Sequence, residues 1–172
     1  MNLLHDIDPG MKEEMNVIIE INKGSHNKYE IDKKSGVIKL DRVMHSAQDY
    51  PFDYGFVPQT LWDDGDALDV VVLTTYPLAP GILVEARPIG IMHMIDGGEA
   101  DEKIIAVASG DPRYADVQDI NDANQHVLKE IAHFFATYKQ IQKKEVSVGD
   151  FEGRDAALAA FERARKMYAE SK

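Results

Sequence analysis

The chain has 172 residues, with 19 Lys+Arg against 30 Asp+Glu and no cysteine. A single domain spanning residues 1–172 is the expectation, and at this size it buries roughly 70% of the surface its unfolded chain exposes, enough for a full core. The net charge of −11 excludes nucleic acid and an anionic membrane face as natural partners, and the missing cysteines exclude disulfides, thiolate nucleophiles and zinc–thiolate sites. If so acidic a chain handles a phosphate compound, a metal cation is the obvious way to offset the repulsion.

Residues 1–10 hold no basic stretch followed by an apolar run, and apolar runs such as Val70–Leu73 are far too short to cross a bilayer. A soluble, cytoplasmic protein is expected. From about residue 16 to 109 the pattern is that of strands and turns. Asn16–Ile21 is apolar apart from Glu20. Lys28–Asp32 alternates, with Tyr29 and Ile31 on one face, and the turn Lys33-Lys34-Ser35-Gly36 joins it to Val37–Asp41 as a hairpin. Tyr50-Pro51-Phe52-Asp53-Tyr54-Gly55 reads as a rigid packed loop. Asp69–Thr74, Ile82–Met94 and Lys103–Ser109 read as further strands. Five or six strands with short connections predict a small antiparallel barrel or sandwich. From about residue 121 onward the pattern is helical. A first helix starts at Asn124, with Val127, Ile131, Phe134, Phe135, Tyr138 and Ile141 on its apolar stripe. A second runs from about Arg154 to Glu170. Phe134 and Phe135 point about 100° apart on a helix. One core face is therefore not expected to cover both, which points to an oligomer.

The densest polar feature is Asp63-Asp64-Gly65-Asp66-Ala67-Leu68-Asp69. Three carboxylates at i, i+2 and i+5 around a glycine converge if the loop curls, and a hard divalent cation would then relieve their repulsion. A solvated acidic turn is the alternative reading. An EF-hand is excluded, because counting from Asp64 the sixth position is Asp69 instead of Gly and the twelfth is Thr75 instead of Glu. Asp96, Asp101 and Lys103 flank Gly97 and Gly98, as either a polar turn or a second acidic group. Lys139 near a helix end and Tyr138 on an apolar stripe each have ordinary explanations. The six histidines form no metal pattern, and no nucleophile elbow, dinucleotide loop or P-loop occurs. Carboxylates with interspersed cations and no soft ligand suit Mg²⁺ or Mn²⁺ and metal-assisted attack of water on a phosphoryl group. The residues alone reach a metal-dependent phosphohydrolase and name no substrate. A non-catalytic OB-like module ranks behind it, because that would need a basic, aromatic strand face.

In combination and in this order, the motifs Ile18-Ile19-Glu20-Ile21, Lys28-Tyr29-Glu30, Leu40-Asp41-Arg42, Tyr50-Pro51 with Tyr54-Gly55, Asp64-Gly65-Asp66-Ala67-Leu68-Asp69, Asp96 with Asp101 and Lys103, and His133-Phe134-Phe135 leading to Tyr138-Lys139 resemble the first family of soluble inorganic pyrophosphatases in its short bacterial or archaeal form. The resemblance runs from about Val17 past Tyr138 and is weakest after Gln142. It implies an α+β fold, a five-stranded antiparallel OB-like β-barrel with two flanking α-helices. It implies hydrolysis of pyrophosphate to two phosphates by Mg²⁺-activated water, with several Mg²⁺ per site, Mn²⁺ as a substitute and no covalent intermediate. Carried over by position, Asp64, Asp69 and Asp101 are core metal ligands and Asp96 holds a metal that arrives with substrate. Asp66 is the base. Lys28, Arg42, Tyr138 and Lys139 bind phosphate. Glu20, Glu30, Tyr50, Tyr54 and Lys103 support the site. The resemblance also implies a homo-hexamer of two trimers, with His133 and the first helix at an interface. Ala67 stands where the family usually carries proline, so the acidic loop lacks a fixed φ and is expected to be freer.

Overall fold

The computed structural model describes all of residues 1–172. In chain order the strands are β1 (Gly10–Met11), β2 (Glu14–Ile21), β3 (Asn27–Ile31), β4 (Ile38–Val43), β5 (Asp53–Phe56), β6 (Asp69–Leu73), β7 (Leu83–Asp96), β8 (Glu99–Ala100) and β9 (Lys103–Ala108). Helix α1 (Gln125–Thr137), strand β10 (Val146–Gly153) and helix α2 (Arg154–Glu170) complete the chain. The fold is α+β. Strands β2, β5, β6, β9 and β7 pair in that order, and β7 pairs back onto β2, so five strands close into a ring. Four of these pairings are antiparallel. The fifth, β6 with β9, is parallel, which an all-antiparallel reading does not anticipate. Strands β3 and β4 form the expected hairpin apart from the ring.

Successive side chains on a strand point to opposite faces. On β6, Val71 and Leu73 join a core with α1 residues Leu128, Ile131, Phe134 and Phe135, while Val70 and Val72 join a second core with α2 residues Ala157, Phe161 and Ala164. On β9, Ile105 and Val107 go to the first core and Ile104 and Ala106 to the second. Both faces are covered, which is why β6 and β9 read as unbroken apolar runs instead of alternating ones.

Four sequence expectations need correction. Residues 53–56 form a ring strand, where a packed loop was expected. The stretch after residue 121 is not wholly helical, because β10 pairs with the far half of β7 around an irregularity between Val148 and Phe151. Helix α1 stops at Thr137 with Tyr138 as its cap, so Ile141 lies beyond it and is exposed. Phe134 and Phe135 are both buried within the one chain, so the argument from their divergence to an oligomer does not hold.

The first helix starts cleanly because Asn124 accepts hydrogen bonds from the backbone N–H groups of His126 and Val127. At its far end, the cap residue Tyr138 and its neighbour Lys139 are delivered to the same end of the ring as the starts of β6 and β9.

Candidate active site

The loop between β5 and β6 curls because three short hydrogen bonds close it. Trp62 N–H donates to Asp66 O (2.7 Å), Gly65 N–H to Trp62 O (3.0 Å) and Asp66 N–H to Asp64 Oδ1 (3.0 Å). Gly65 sits at φ +83°, a conformation that glycine adopts without a Cβ clash. The curl brings Asp64 round to Asp69 at the start of β6. The parallel register then sets Asp69 beside the start of β9, preceded by Asp101. Carboxylate oxygens of Asp64, Asp69 and Asp101 all lie within 4.8 Å of one another. The cluster is thus drawn from two segments and is partly enclosed, which a solvated local turn would not require.

Lys103, only 3% exposed, donates from Nζ to Asp69 Oδ2 and to Asp101 Oδ1, each at 2.6 Å. One ammonium does not balance the group. Burial, then repulsion from Asp69 and Asp64, pushes Asp101 up to about 7 against the pull of Lys103. Burial and the neighbouring Asp69 and Asp66 also raise Asp64. Glu20, at the end of β2, accepts from Ile31 N–H at 2.7 Å, and burial followed by Asp69 raises it to about 8. Carboxyls held this close have room for more positive charge than Lys103 alone supplies. Their all-oxygen donor set fits a hard divalent cation, and the residues fit the metal that the acidic motif implies.

Cationic groups ring the acids. On the hairpin, Lys28 lies opposite Arg42. Lys28 Nζ reaches Glu30 (3.3 Å) and Asp41 (3.2 Å), and Arg42 Nε donates to Asp41 at 2.8 Å. Across the mouth, Lys139 Nζ pairs with Asp96 Oδ2, and Tyr138 O–H stands 3.4 Å from the same oxygen. The Tyr138 ring stacks on Phe134 at 5.3 Å, so the residue belongs to the core and reaches the site with its hydroxyl. Burial, followed by the charges of Asp69 and Asp101, lifts the Tyr54 phenol well above its ordinary range.

These groups line one cleft of about 320 Å³. Of the residues expected at the site, all but Arg42 and Tyr50 line it. Arg42 is turned onto Asp41. Tyr50 is 2% exposed, with its ring 4.7 Å from that of Phe134, and it supports the wall from behind. No histidine lines the cleft.

Sequence reasoning missed Lys33, Glu99 and the role of Asp41. Lys33 belongs to the hairpin turn, yet its ammonium pairs with Asp66 and donates to Gly65 O at 3.1 Å. The available signal was that a lysine at the hairpin tip reaches whatever the hairpin folds over. Glu99 lines the cleft from the two-residue strand β8, which carries no recognisable pattern. Asp41 lies beside Arg42 in a quoted motif, and it holds both Lys28 and Arg42.

Residues 17–169 match the family model described as inorganic pyrophosphatase. The chain is 50% identical over 154 residues to the inorganic pyrophosphatase of Synechocystis sp., covering 90% of this chain and 91% of that one. It is 48% identical over 168 residues to soluble inorganic pyrophosphatase 1 of Arabidopsis thaliana, covering 96% and 79%. The crystal structure of inorganic pyrophosphatase from Thermus thermophilus superposes with a TM-score of 0.94 at 45% identity, covering 98% of this chain and 99% of that one. Sequence and architecture thus agree over nearly the whole length, and the chain belongs to the inorganic pyrophosphatase family.

Proposed function

We propose that the acidic cleft is where this member of the family hydrolyses pyrophosphate to two phosphates, with Mg²⁺ held by Asp64, Asp69 and Asp101. The convergence of those three carboxylates within 4.8 Å carries the reading. The chemistry that Mg²⁺ supplies when bound is Lewis acidity toward water and toward phosphoryl oxygens. Asp96, which lines the same cleft, would hold a further Mg²⁺ that enters with substrate, and Glu20 and Glu30 would act through water. Mn²⁺, with the same preference for oxygen donors, is the expected substitute.

Asp66 accepts the proton of the attacking water. The water oxygen forms the new bond to phosphorus, the bridging P–O bond breaks, and its electron pair leaves on the second phosphate. Lys28, Lys139, Tyr138 and, after turning from Asp41, Arg42 bind the phosphate oxygens. Each of these cations now rests on a carboxylate, so substrate takes over a partner that Glu30, Asp41 or Asp96 holds. The exchange keeps the cations oriented and limits the cost of ordering them. The cleft wall carries no Ser, Thr, Cys or His, which supports direct attack by water without a covalent intermediate.

Phosphate release from pyrophosphate, ATP and a sugar phosphate, with Mg²⁺ and with excess chelator, tests the reading. Release from pyrophosphate alone, abolished by chelator, is expected; equal release from all three, or release that survives chelation, would overturn it.

A homo-hexamer of two trimers in the cytoplasm completes the proposal. The outward face of α1 supports a docked copy, since His126, Lys129 and His133 border a groove of about 410 Å³ beside Gln48 and Asp49. Light scattering at micromolar concentration tests the assembly and cell fractionation the compartment. No helix is long and apolar enough to cross a membrane.

A further inference from the structure

We propose that Trp62 and Glu102 form a positioning bridge that sets the Mg²⁺ affinity of the acidic cluster, with Arg163 of α2 as its support. This rests on reading Asp64, Asp69 and Asp101 as ligands. Those three residues come from two separate segments, the β5–β6 loop and the turn before β9, and repulsion among the carboxylates opposes their convergence. Lys103 and the β6–β9 pairing hold Asp69 to Asp101, while Asp64 sits on the β5–β6 loop outside that pairing. The Asp64 loop needs a hold of its own beforehand, or the cation has to close the site at the expense of its own affinity.

One side-chain bond crosses between the two segments outside the cluster itself. Trp62 Nε1–H donates to Glu102 Oε2 at 2.8 Å, joining the residue two before Asp64 to the residue after Asp101. The bond is shielded, since Trp62 is 6% exposed and the Glu102 side chain 18%. Helix α2 fixes the other side of Trp62. The Arg163 guanidinium lies 4.6 Å from the centre of the indole, and its two terminal nitrogens grip Asp63 at 3.0 and 2.5 Å. Leu61 N–H donates to Ala164 O, in the interior of the same helix, at 3.0 Å. Three consecutive residues, 61 to 63, are therefore anchored on α2 directly before the first ligand. The other side of the loop is held by different partners: Lys33 donates to Gly65 O at 3.1 Å and pairs with Asp66, and Leu68 N–H donates to Thr60 Oγ1 at 2.9 Å, so neither of these holds joins the loop to the Asp101 segment.

The bridge touches neither substrate nor metal, so it acts on the ligands by holding their backbones in register. Its loss should weaken the metal and spare turnover once metal saturates. Partners of this kind typically change metal affinity by about 10–100-fold.

The test titrates Mg²⁺ alone, by calorimetry, into the wild-type protein, Trp62→Phe, Glu102→Ala, Glu102→Gln, the double variant Trp62→Phe/Glu102→Ala, and Asp101→Asn. Trp62→Phe and Glu102→Ala should each weaken Mg²⁺ about tenfold. The double variant should be no worse than either single, since both remove one bond. Glu102→Gln should bind nearly as the wild type, because its amide oxygen still accepts from the indole. With saturating Mg²⁺, kcat of the Trp62 and Glu102 variants should stay within about twofold of wild type, an effect under ~0.5 kcal/mol. Trp62 is the chain's single tryptophan, so its fluorescence during the titration gives a second readout in the Glu102 variants. Wild-type affinity in Trp62→Phe or Glu102→Ala would overturn the bridge, as would additive losses in the double variant. Equal weakening by Glu102→Gln and Glu102→Ala would also overturn it, because charge would then be the cause. In each of those cases Asp101→Asn still loses Mg²⁺. Wild-type affinity in Asp101→Asn would instead overturn the ligand reading, and the bridge with it.

Discussion

Asp69 and Lys103 are the first residues of two strands that run parallel, and for that reason they lie side by side, 2.6 Å apart. An antiparallel pair would put them at opposite ends of the ring. Lys103 bonds Asp101 as well and is buried on all sides. Lys103→Met keeps the length of the side chain and removes its charge, leaving an acidic group with no counterion. Removing one partner of a buried pair costs about 3–5 kcal/mol, with the low end expected here because the carboxyls can take up protons instead. Urea denaturation in chelator should show that loss. Excess Mg²⁺, which supplies positive charge to the same carboxylates, should shrink the gap between variant and wild type. A gap that Mg²⁺ leaves unchanged would count against a cation site at Asp69 and Asp101.

That parallel pair also marks the limit of what the sequence reveals. The helix α2 was legible from Ala157, Phe161 and Ala164 at helical spacing, and the β3–β4 hairpin from its alternation and its Gly36 turn. The acidic positions were legible as a motif, because Asp64, Asp66 and Asp69 are local. Their meeting with Asp101 is implied only by the family resemblance and not by the local pattern, since strand direction is a tertiary property that the apolar runs of β6 and β9 do not encode. Lys33 reads as turn polarity because its partner, Asp66, is 33 residues away. Strand β5 was missed because four residues containing a glycine carry no period.

Gly55 explains that strand. A Cβ built on it would stand 2.0 Å from Ile18 O, across the β2–β5 pairing. Backbone cannot yield as a flexible side chain does, so Gly55→Ala should cost about 1–3 kcal/mol or more and move Tyr54, its neighbour on the site wall. A denaturation midpoint equal to wild type would show that β2 and β5 are not packed this closely.

His93 supplies a pH dependence outside the cleft. Its Nε2 meets Glu152 at 2.5 Å and its Nδ1 lies 3.6 Å from Glu102. The bond to Glu152, with help from Glu102, raises the imidazole above its ordinary value of 6.5. A group whose pKa rises on folding stabilises the protein fully below its unfolded value, and that stability is lost as pH rises through the folded value. The pair is half in solvent, so no more than about 1 kcal/mol is expected. Wild type minus His93→Gln, compared by denaturation from pH 5 to 9, should therefore fall above pH 6.5. A flat difference would mean that the ion pair contributes nothing.

Lys33 sits against Asp66, and the contact separates two roles that carboxylates can play here. Asp101 is mostly enclosed beside Asp64 and Asp69, as a ligand should be, while the Asp66 side chain is 47% exposed and faces the cleft. Loss of a ligand weakens the metal and all that depends on it. Loss of a base removes proton acceptance, an effect of roughly 10²–10⁴-fold in rate. Asp66→Asn keeps the shape and one acceptor oxygen, so Mg²⁺ and pyrophosphate should bind nearly as before while turnover falls strongly. Part of the rate should return as pH rises, because solvent hydroxide then replaces the missing acceptor. Asp101→Asn should show the opposite pattern, with Mg²⁺ affinity falling first and turnover recovering as Mg²⁺ is raised. Lys33→Ala frees Asp66 of its cation and removes one ammonium from the cleft, so KM for pyrophosphate should rise, by about tenfold if ~1.4 kcal/mol of binding is lost. Because the Lys33–Asp66 pair is exposed, stability should change by less than ~1 kcal/mol. Turnover against pH and Mg²⁺ affinity, measured side by side for the three variants, decide the assignment. If Asp66→Asn loses Mg²⁺ as badly as Asp101→Asn and turns over normally at saturating metal, Asp66 is a ligand and another group takes the proton.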